Sequence, residues 1–152
     1  DVQVDRRNRR FDVTLLINGI PMIHIELKNK EHSYMDGYRH IKNSLAEGTF
    51  PGLFYYVQIF VVNNAVDTKS FAAARDIELN KKFITGWIEK ENQPVCDYIE
   101  FCKAVLRIPQ AHEMVTKYTI LDNEKKKLLI LRPNQIHACC AMREASKQGK
   151  SG

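Results

Sequence analysis

Over residues 11–17 apolar side chains take the odd positions Val13, Leu15 and Ile17, leaving Asp12 and Thr14 on the other face of an extended chain. Over 22–28 the odd positions Ile23, Ile25 and Leu27 are again apolar, and His24, Glu26 and Lys28 share the opposite face. Alternation with period two on either side of Asn18-Gly19 predicts a β-hairpin. A two-residue turn with straight pairing would set Asp12 against Ile25 and mix polar with apolar side chains on each face. A three-residue connection, Asn18-Gly19-Ile20, with Gly19 left-handed, instead pairs Ile17 with Pro21 and Asp12 with Glu26. The predicted ribbon then carries Val13, Leu15, Ile23 and Ile25 on one face. Asp12, Thr14, His24, Glu26 and Lys28 line the other.

Further along, 33–45 has helical tendencies interrupted by Gly37, and 46–52 reads as a loop. The continuous Tyr, Val, Ile and Phe run over 53–62 predicts a central strand buried on both faces. Phe83 and Trp87, one helical turn apart within 83–90, predict a core pair. Pro94 is expected to open a helix, with Val95, Tyr98/Ile99, Cys102 and Val105/Leu106 at helical spacing. Pro109 ends that helix and opens a shorter one. An extended linker is expected over 118–122, then a brief apolar run over 128–131, and Pro133 opens a last helix reaching 145. Mixed strand and helix patterns of this kind predict an α/β fold.

With 152 residues, 44% hydrophobic and 27% charged, the chain can bury one modest core. No apolar run approaches a membrane span and Asp1-Val2-Gln3-Val4 is no signal peptide, so a membrane partner is not expected. Cys96, Cys102, Cys139 and Cys140 form no C-x-x-C pair, which predicts reduced, structural cysteines and a cytoplasmic setting. The net charge of +5 is concentrated in 120–152, where seven Lys/Arg face three acids. Arg6, Arg7, Arg9 and Arg10 form a local cluster just before Asp12. They suit clamping of DNA phosphates as well as a solvated strand start.

The chemistry-bearing pattern is Asp12, thirteen intervening residues, then Glu26-Leu27-Lys28. Two carboxylates with a lysine on one face are the set a metal-dependent phosphodiesterase needs. The acids hold a divalent cation, and the ammonium group steadies the attacking water or the phosphate. The same three residues also suit a solvated surface with a weak ion pair.

The words around the pattern are more specific. Arg10-Phe11-Asp12-Val13-Thr14-Leu15-Leu16-Ile17-Asn18-Gly19-Ile20-Pro21, followed by Ile25-Glu26-Leu27-Lys28-Asn29, closely resembles the nuclease motif of the R subunit (HsdR) of type I restriction-modification enzymes. The resemblance continues through 52–64 and Asp67-Thr68, and resumes at Leu131-Arg132-Pro133-Asn134-Gln135. It implies a PD-(D/E)xK restriction-endonuclease-like mixed sheet flanked by helices over 1–108, a linker over 109–123, and the start of an ATP-dependent motor (helicase) domain over 124–152. It also implies Mg²⁺-dependent cleavage of double-stranded DNA within a complex that contains methyltransferase and specificity subunits. Asp12 and Glu26, with the carbonyl of Leu27, would bind Mg²⁺, and Lys28 would be the catalytic lysine. Arg7, Arg9 and Arg10 would contact DNA. Gln135 resembles an adenine-contacting glutamine, with ATP a cofactor of the full-length protein only. Such nucleases usually add another acid from an upstream helix, which residues before Asp1 would have to supply. The alternative function is a non-catalytic DNA-binding or subunit-docking module that keeps the nuclease fold.

One departure stands out. The family's Gln-x-x-x-Tyr element falls on His40-Ile41-Lys42-Asn43-Ser44, so neither His40 nor Ser44 is expected to be catalytic. Gly149-Lys150-Ser151 is not a phosphate-binding loop, because Glu144 stands where that motif needs glycine. His24 shares the face of Glu26 and is expected to be structural.

Overall fold

The computed structural model describes residues 13–48, 52–73, 81–89, 93–124 and 127–149. Asp12 and the arginines at 6, 7, 9 and 10 lie outside the described residues, and so does the predicted Asp12–Glu26 pair. Strand β1 (Val13–Ile17) and strand β2 (Ile20–Leu27) form the hairpin. Helix α1 (Tyr34–Ala46) carries the chain across to strand β3 (Ile59–Asn63), which turns back as β4 (Thr68–Ala72). The sheet runs β1-β2-β3-β4, with β2 and β3 parallel and both outer pairs antiparallel.

The hairpin register agrees with the alternation, but the turn does not. Asn18 (φ 51°) and Gly19 (φ 78°) make a two-residue turn that pairs Ile17 with Ile20, the left-handed pair such tight turns require. The expected three-residue connection is therefore corrected. A β-bulge takes up the extra residue: Leu16 pairs with Pro21 and Leu15 with Ile23, so Met22 is unopposed. Beyond it, Leu15–Ile23, Thr14–His24 and Val13–Ile25 stand in the predicted register. A bulge re-aims side chains at the cost of one local irregularity, and here it restores apolar residues to a common face.

Both faces of the sheet are covered. On one, Ile23, Ile25, Ile59 and Val61 pack with Phe101, Val105, Ala111, Met114, Val115, Tyr118 and Ile136. On the other, Phe60, Val62 and Phe71 pack with Tyr38 and Ile41 of α1 and with Val57. Ile23, Ile41 and Val61 are each 0% exposed. Full burial of such a side chain contributes about 1.5–3 kcal/mol, so the sheet is held from both sides.

Several expectations are revised by these packing demands. The run over 53–62 is not one strand. Gly52–Tyr56 forms a 3₁₀ turn with Tyr55 and Tyr56 exposed, and only Ile59–Asn63 enters the sheet, buried throughout. Phe83 is exposed, with Lys127 Nζ 4.6 Å above its ring, and is no core partner of Trp87. Trp87–Ile88 forms a two-residue strand β5 against Pro94–Val95, strand β6. Pro94 therefore does not open a helix. Helix α2 (Tyr98–Phe101) starts later, where the Asp97 carboxylate accepts the Glu100 N–H at 3.0 Å. It widens over Cys102–Leu106, ending in an Arg107 N–H to Cys102 carbonyl bond five residues back.

After Pro109, helix α3 (Gln110–Thr116) forms as expected. The segment read as an extended linker is strand β7 (Thr119–Asp122), paired with β8 (Lys127–Ile130). Helix α4 (Pro133–Lys147) follows, opened by Pro133. Ala111, Met114, Val115 and Tyr118, all within 109–123, and Ile136 of α4 share one core with the β2 isoleucines. Among the described residues no helix is long and apolar enough to cross a membrane.

Candidate active site

Glu26 lies near the end of β2, between β1 and β3, on the face covered by α1. It is 2% exposed. A carboxylate removed from water this completely needs charged or hydrogen-bonding partners, and two converge on it. Lys28 Nζ is 2.5 Å from Glu26 Oε1. His40 Nδ1, reaching down from α1, is 2.9 Å from the same oxygen.

Local structure explains both approaches. Lys28 donates its N–H to the Asn63 carbonyl at 2.8 Å, which keeps the backbone in the sheet one residue past β2. Two residues on, strand alternation returns the lysine to the face of Glu26. On the helix side, Ser33 caps α1: its hydroxyl accepts the Met35 N–H, and the Asp36 carboxylate accepts the Ser33 N–H. One turn later Gly37 faces the sheet. A Cβ built there would stand 2.4 Å from Val62 Cγ1 and 3.5 Å from Glu26 Cγ. Without a side chain at 37 the helix sits hard against the strands. His40, three residues further on the same helical face, then meets the carboxylate.

His24 lies two residues before Glu26 on the same face. Its Nδ1 is 3.0 Å from Thr14 Oγ1, and the Phe54 and Phe60 rings meet it edge-on at 6.0 and 6.1 Å. Burial lowers its pKa below the ordinary histidine value. Glu26 opposes that shift and His40 adds to it. A neutral imidazole bonded to Thr14 is a packing element, in line with the structural role expected of it.

The remaining site residues fall elsewhere. The Leu27 side chain packs into the core on the opposite face from Glu26. Ser44 is half-buried on α1, one turn beyond His40. Gln135 sits in the first turn of α4, where its Oε1 accepts the Arg132 N–H at 2.9 Å, as a helix-capping glutamine does. Beside it opens a cleft of about 620 Å³ lined by Lys82, Glu89, Arg132, Asn134 and His137 among others, but not by Gln135. The α4 helix packs through Ile136 on the far face of the sheet, so Gln135 is not part of the Glu26 site. Among the described residues no three His, Cys, Asp or Glu side chains cluster to hold a metal; Glu26 and His40 provide two. Sequence reasoning set His40 aside. The available signal was its distance from Gly37, which marks the face of α1 that touches the sheet.

A buried glutamate near the end of a central strand, a lysine one residue past that strand, and a mixed sheet with helices on both faces are consistent with the PD-(D/E)xK restriction-endonuclease-like class. The chain belongs to the family described as type I restriction enzyme R protein N terminus, whose model matches residues 1–79. It is 31% identical over 149 residues to the type I restriction enzyme SauCOLORF180P endonuclease subunit of Staphylococcus aureus (strain COL), and 32% identical over 149 residues to the SsaAORF53P endonuclease subunit of Staphylococcus saprophyticus. Each alignment covers 97% of this chain and 16% of the relative. The EcoprrI endonuclease subunit of Escherichia coli is 30% identical over 139 residues, covering 90% of this chain and 44% of that protein. The chain thus spans about one sixth of the length of its staphylococcal relatives.

Proposed function

We propose that this chain is the nuclease portion of a type I restriction R subunit, which hydrolyses phosphodiester bonds of double-stranded DNA with Mg²⁺. The observation that carries this reading is the near-complete burial of Glu26 with Lys28 and His40 both on its Oε1. A structural ion pair gains little from such burial, whereas a phosphoryl-transfer site uses a water-poor carboxylate and an adjacent ammonium.

Glu26 and Asp12, with the Leu27 carbonyl, would hold the ion, and the donor chemistry fits. A buried carboxylate favours positive charge beside it, and Mg²⁺ takes one or two carboxylates with waters and phosphate oxygens. When bound, the ion supplies Lewis acidity at the phosphate and acidifies a bound water. In the structure Lys28 occupies the carboxylate itself. With Mg²⁺ held by Asp12, Glu26 and the Leu27 carbonyl, Lys28 would orient the attacking water and neutralise charge building on the phosphate. Arg7, Arg9 and Arg10 would grip phosphates on the flanking backbone. Recognition of a target sequence would be left to other subunits of the complex and ATP hydrolysis to the rest of the polypeptide, with Gln135 of this chain contacting adenine.

The test is cleavage of supercoiled plasmid by the assembled complex with Mg²⁺ and ATP. Asp12→Ala, Glu26→Ala and Lys28→Ala should each lower cleavage by at least about a hundredfold, the scale of losing one electrostatic contact to the transition state, while DNA-dependent ATP hydrolysis persists. Wild-type cleavage by Glu26→Ala and Lys28→Ala would rule the nuclease role out in favour of a docking module that retains the fold.

A further inference from the structure

We infer that Asn64 is a positioning residue of this site. Its side chain clamps the connection that carries Lys28 into helix α1, and so fixes where the ammonium group stands beside Glu26. This deepens the nuclease reading and rests on it. Asn64 directly follows β3 and is 7% exposed. Its Nδ2 donates to the His32 carbonyl at 2.8 Å, and its Oδ1 accepts the Val66 and Asp67 N–H groups at 3.2 and 2.7 Å. A carbonyl lies on one side of the amide and two N–H groups on the other, so this orientation alone satisfies all three.

The connection between strand and helix runs from Lys28 to His32, because Ser33 caps α1. At its near end the Lys28 N–H is held by the Asn63 carbonyl at 2.8 Å. At its far end the His32 carbonyl is held by Asn64. Two consecutive residues at the end of β3 therefore tie both ends of the path to the sheet. The anchor is itself braced. Ala65 is left-handed at φ 67°, its N–H bonds Asn63 Oδ1 at 2.9 Å, and the Asn64 N–H reaches the Asp67 carbonyl at 3.2 Å. A non-glycine residue stays in that region only where its neighbours over-determine it. Lys28 meets Glu26 from one end of this path, and α1, which brings His40 to the same carboxylate, starts from the other. Without the Nδ2 bond the path turns more freely about Asn63, and the lysine departs from Glu26 more often.

Asn64→Asp and Asn64→Ser separate the clamp from the turn. Each keeps an oxygen for the Val66 and Asp67 N–H groups and removes the donor to His32; serine does so without added charge. In the assembled complex with Mg²⁺ and ATP, both should slow supercoiled-plasmid cleavage at saturating DNA by at least about tenfold, since displacing a reacting group by about 1 Å can cost about a hundredfold. The DNA concentration giving half the maximal rate should stay at the wild-type value, as should DNA-dependent ATP hydrolysis. Hydrogen exchange in the full-length Asn64→Asp subunit should quicken over 28–33 and remain as in wild type at Val66 and Asp67. Wild-type cleavage rates in both variants, with Glu26→Ala inactive, would overturn the positioning role and leave the nuclease reading standing. Slowed cleavage with exchange over 28–33 unchanged would overturn it too, as would a loss confined to the half-maximal DNA concentration. Wild-type cleavage by Glu26→Ala, run alongside, would instead remove the nuclease reading and the role of Asn64 with it.

Discussion

Gly37 of α1 faces Val62 of β3 so closely that a methyl group at 37 would stand 2.4 Å from Val62 Cγ1. Val62 is 1% exposed and sits in the core on that side of the sheet, so it has no free volume to retreat into. The contact sets the height of α1 above Glu26, and with it the reach of His40.

Gly37→Ala is therefore expected to destabilise the protein. Alanine favours the helix by about 1 kcal/mol, but overpacking a dense core costs about 1–3 kcal/mol, and a contact of 2.4 Å belongs at the upper end. A net loss of about 1–2 kcal/mol should appear in urea unfolding. Val62→Ala in the same chain should recover part of it. A Gly37→Ala variant more stable than wild type would show that the helix sits further out than described.

Lys28→Met removes the cation that pairs with a carboxylate only 3% exposed in its side chain. His40 remains on the same oxygen, so the loss should be about 1–3 kcal/mol rather than the larger cost of stranding a buried charge. At the proposed metal site a divalent ion would replace the missing positive charge. Mg²⁺ should accordingly raise the melting temperature of Lys28→Met more than that of wild type. Equal shifts in a thermal melt would mean that metal does not bind at Glu26.

Thr68 is 1% exposed; its hydroxyl donates to the Cys96 carbonyl at 2.8 Å and accepts from Asn63 Nδ2 at 2.9 Å. It ties the start of β4 to the end of β3 and to the residue after β6. Thr68→Val keeps the shape but takes its donor from the half-buried Cys96 carbonyl and leaves Asn63 Nδ2 only its longer bond to the Asp67 carbonyl at 3.3 Å, which costs about 1–3 kcal/mol. Because Asn63 also accepts the Lys28 N–H at its carbonyl, faster hydrogen exchange at the Lys28 amide should accompany the loss. An unchanged amide would place the Thr68 network outside the support of the site.

Glu113 sets an acid limb to the stability. The hydrogen bond from Lys117 holds its carboxyl below the ordinary glutamate value, aided by the charges of Lys117 and Arg143 and opposed by desolvation. A carboxylate depressed in the folded state leaves the unfolded chain binding more protons in acid. Its contribution is thus present above the unfolded value of 4.5 and is lost as pH falls through the folded one. Glu113→Gln should flatten the decline of melting temperature below about pH 4.5 and leave the neutral region little changed, since exposed pairs contribute little there. An acid limb identical to wild type would assign the decline to other groups.

Legibility differed from element to element for physical reasons. Period-two alternation gave the register of Leu15, Thr14 and Val13 against β2 because burial tolerates no one-residue slip. The bulge at Met22 leaves no mark in that pattern, so alternation alone predicts a turn one residue too long. Phe54, Tyr55 and Tyr56 have strand-like composition. Yet β3 pairs with β2 only from Ile59, which faces Ile23, and the residues before it have no ladder to join. Phe83 and Trp87 have helical spacing, but β6 supplied Trp87 with a strand partner that no local pattern announces.

By itself, the sequence determined a mixed α/β fold, a hairpin with Glu26 and Lys28 on one face, and membership of the type I restriction R-subunit family. These follow from side-chain periodicity and from a long run of specific words, both written locally along the chain. Only the tertiary structure decided that Glu26 is buried, that Lys28 and His40 meet on one of its oxygens, and that Gln135 lies across the sheet. The meeting of His40 with Glu26 depends on how closely α1 can approach β2 and β3. That distance is set by the missing side chain of Gly37 against Val62, two residues twenty-five positions apart.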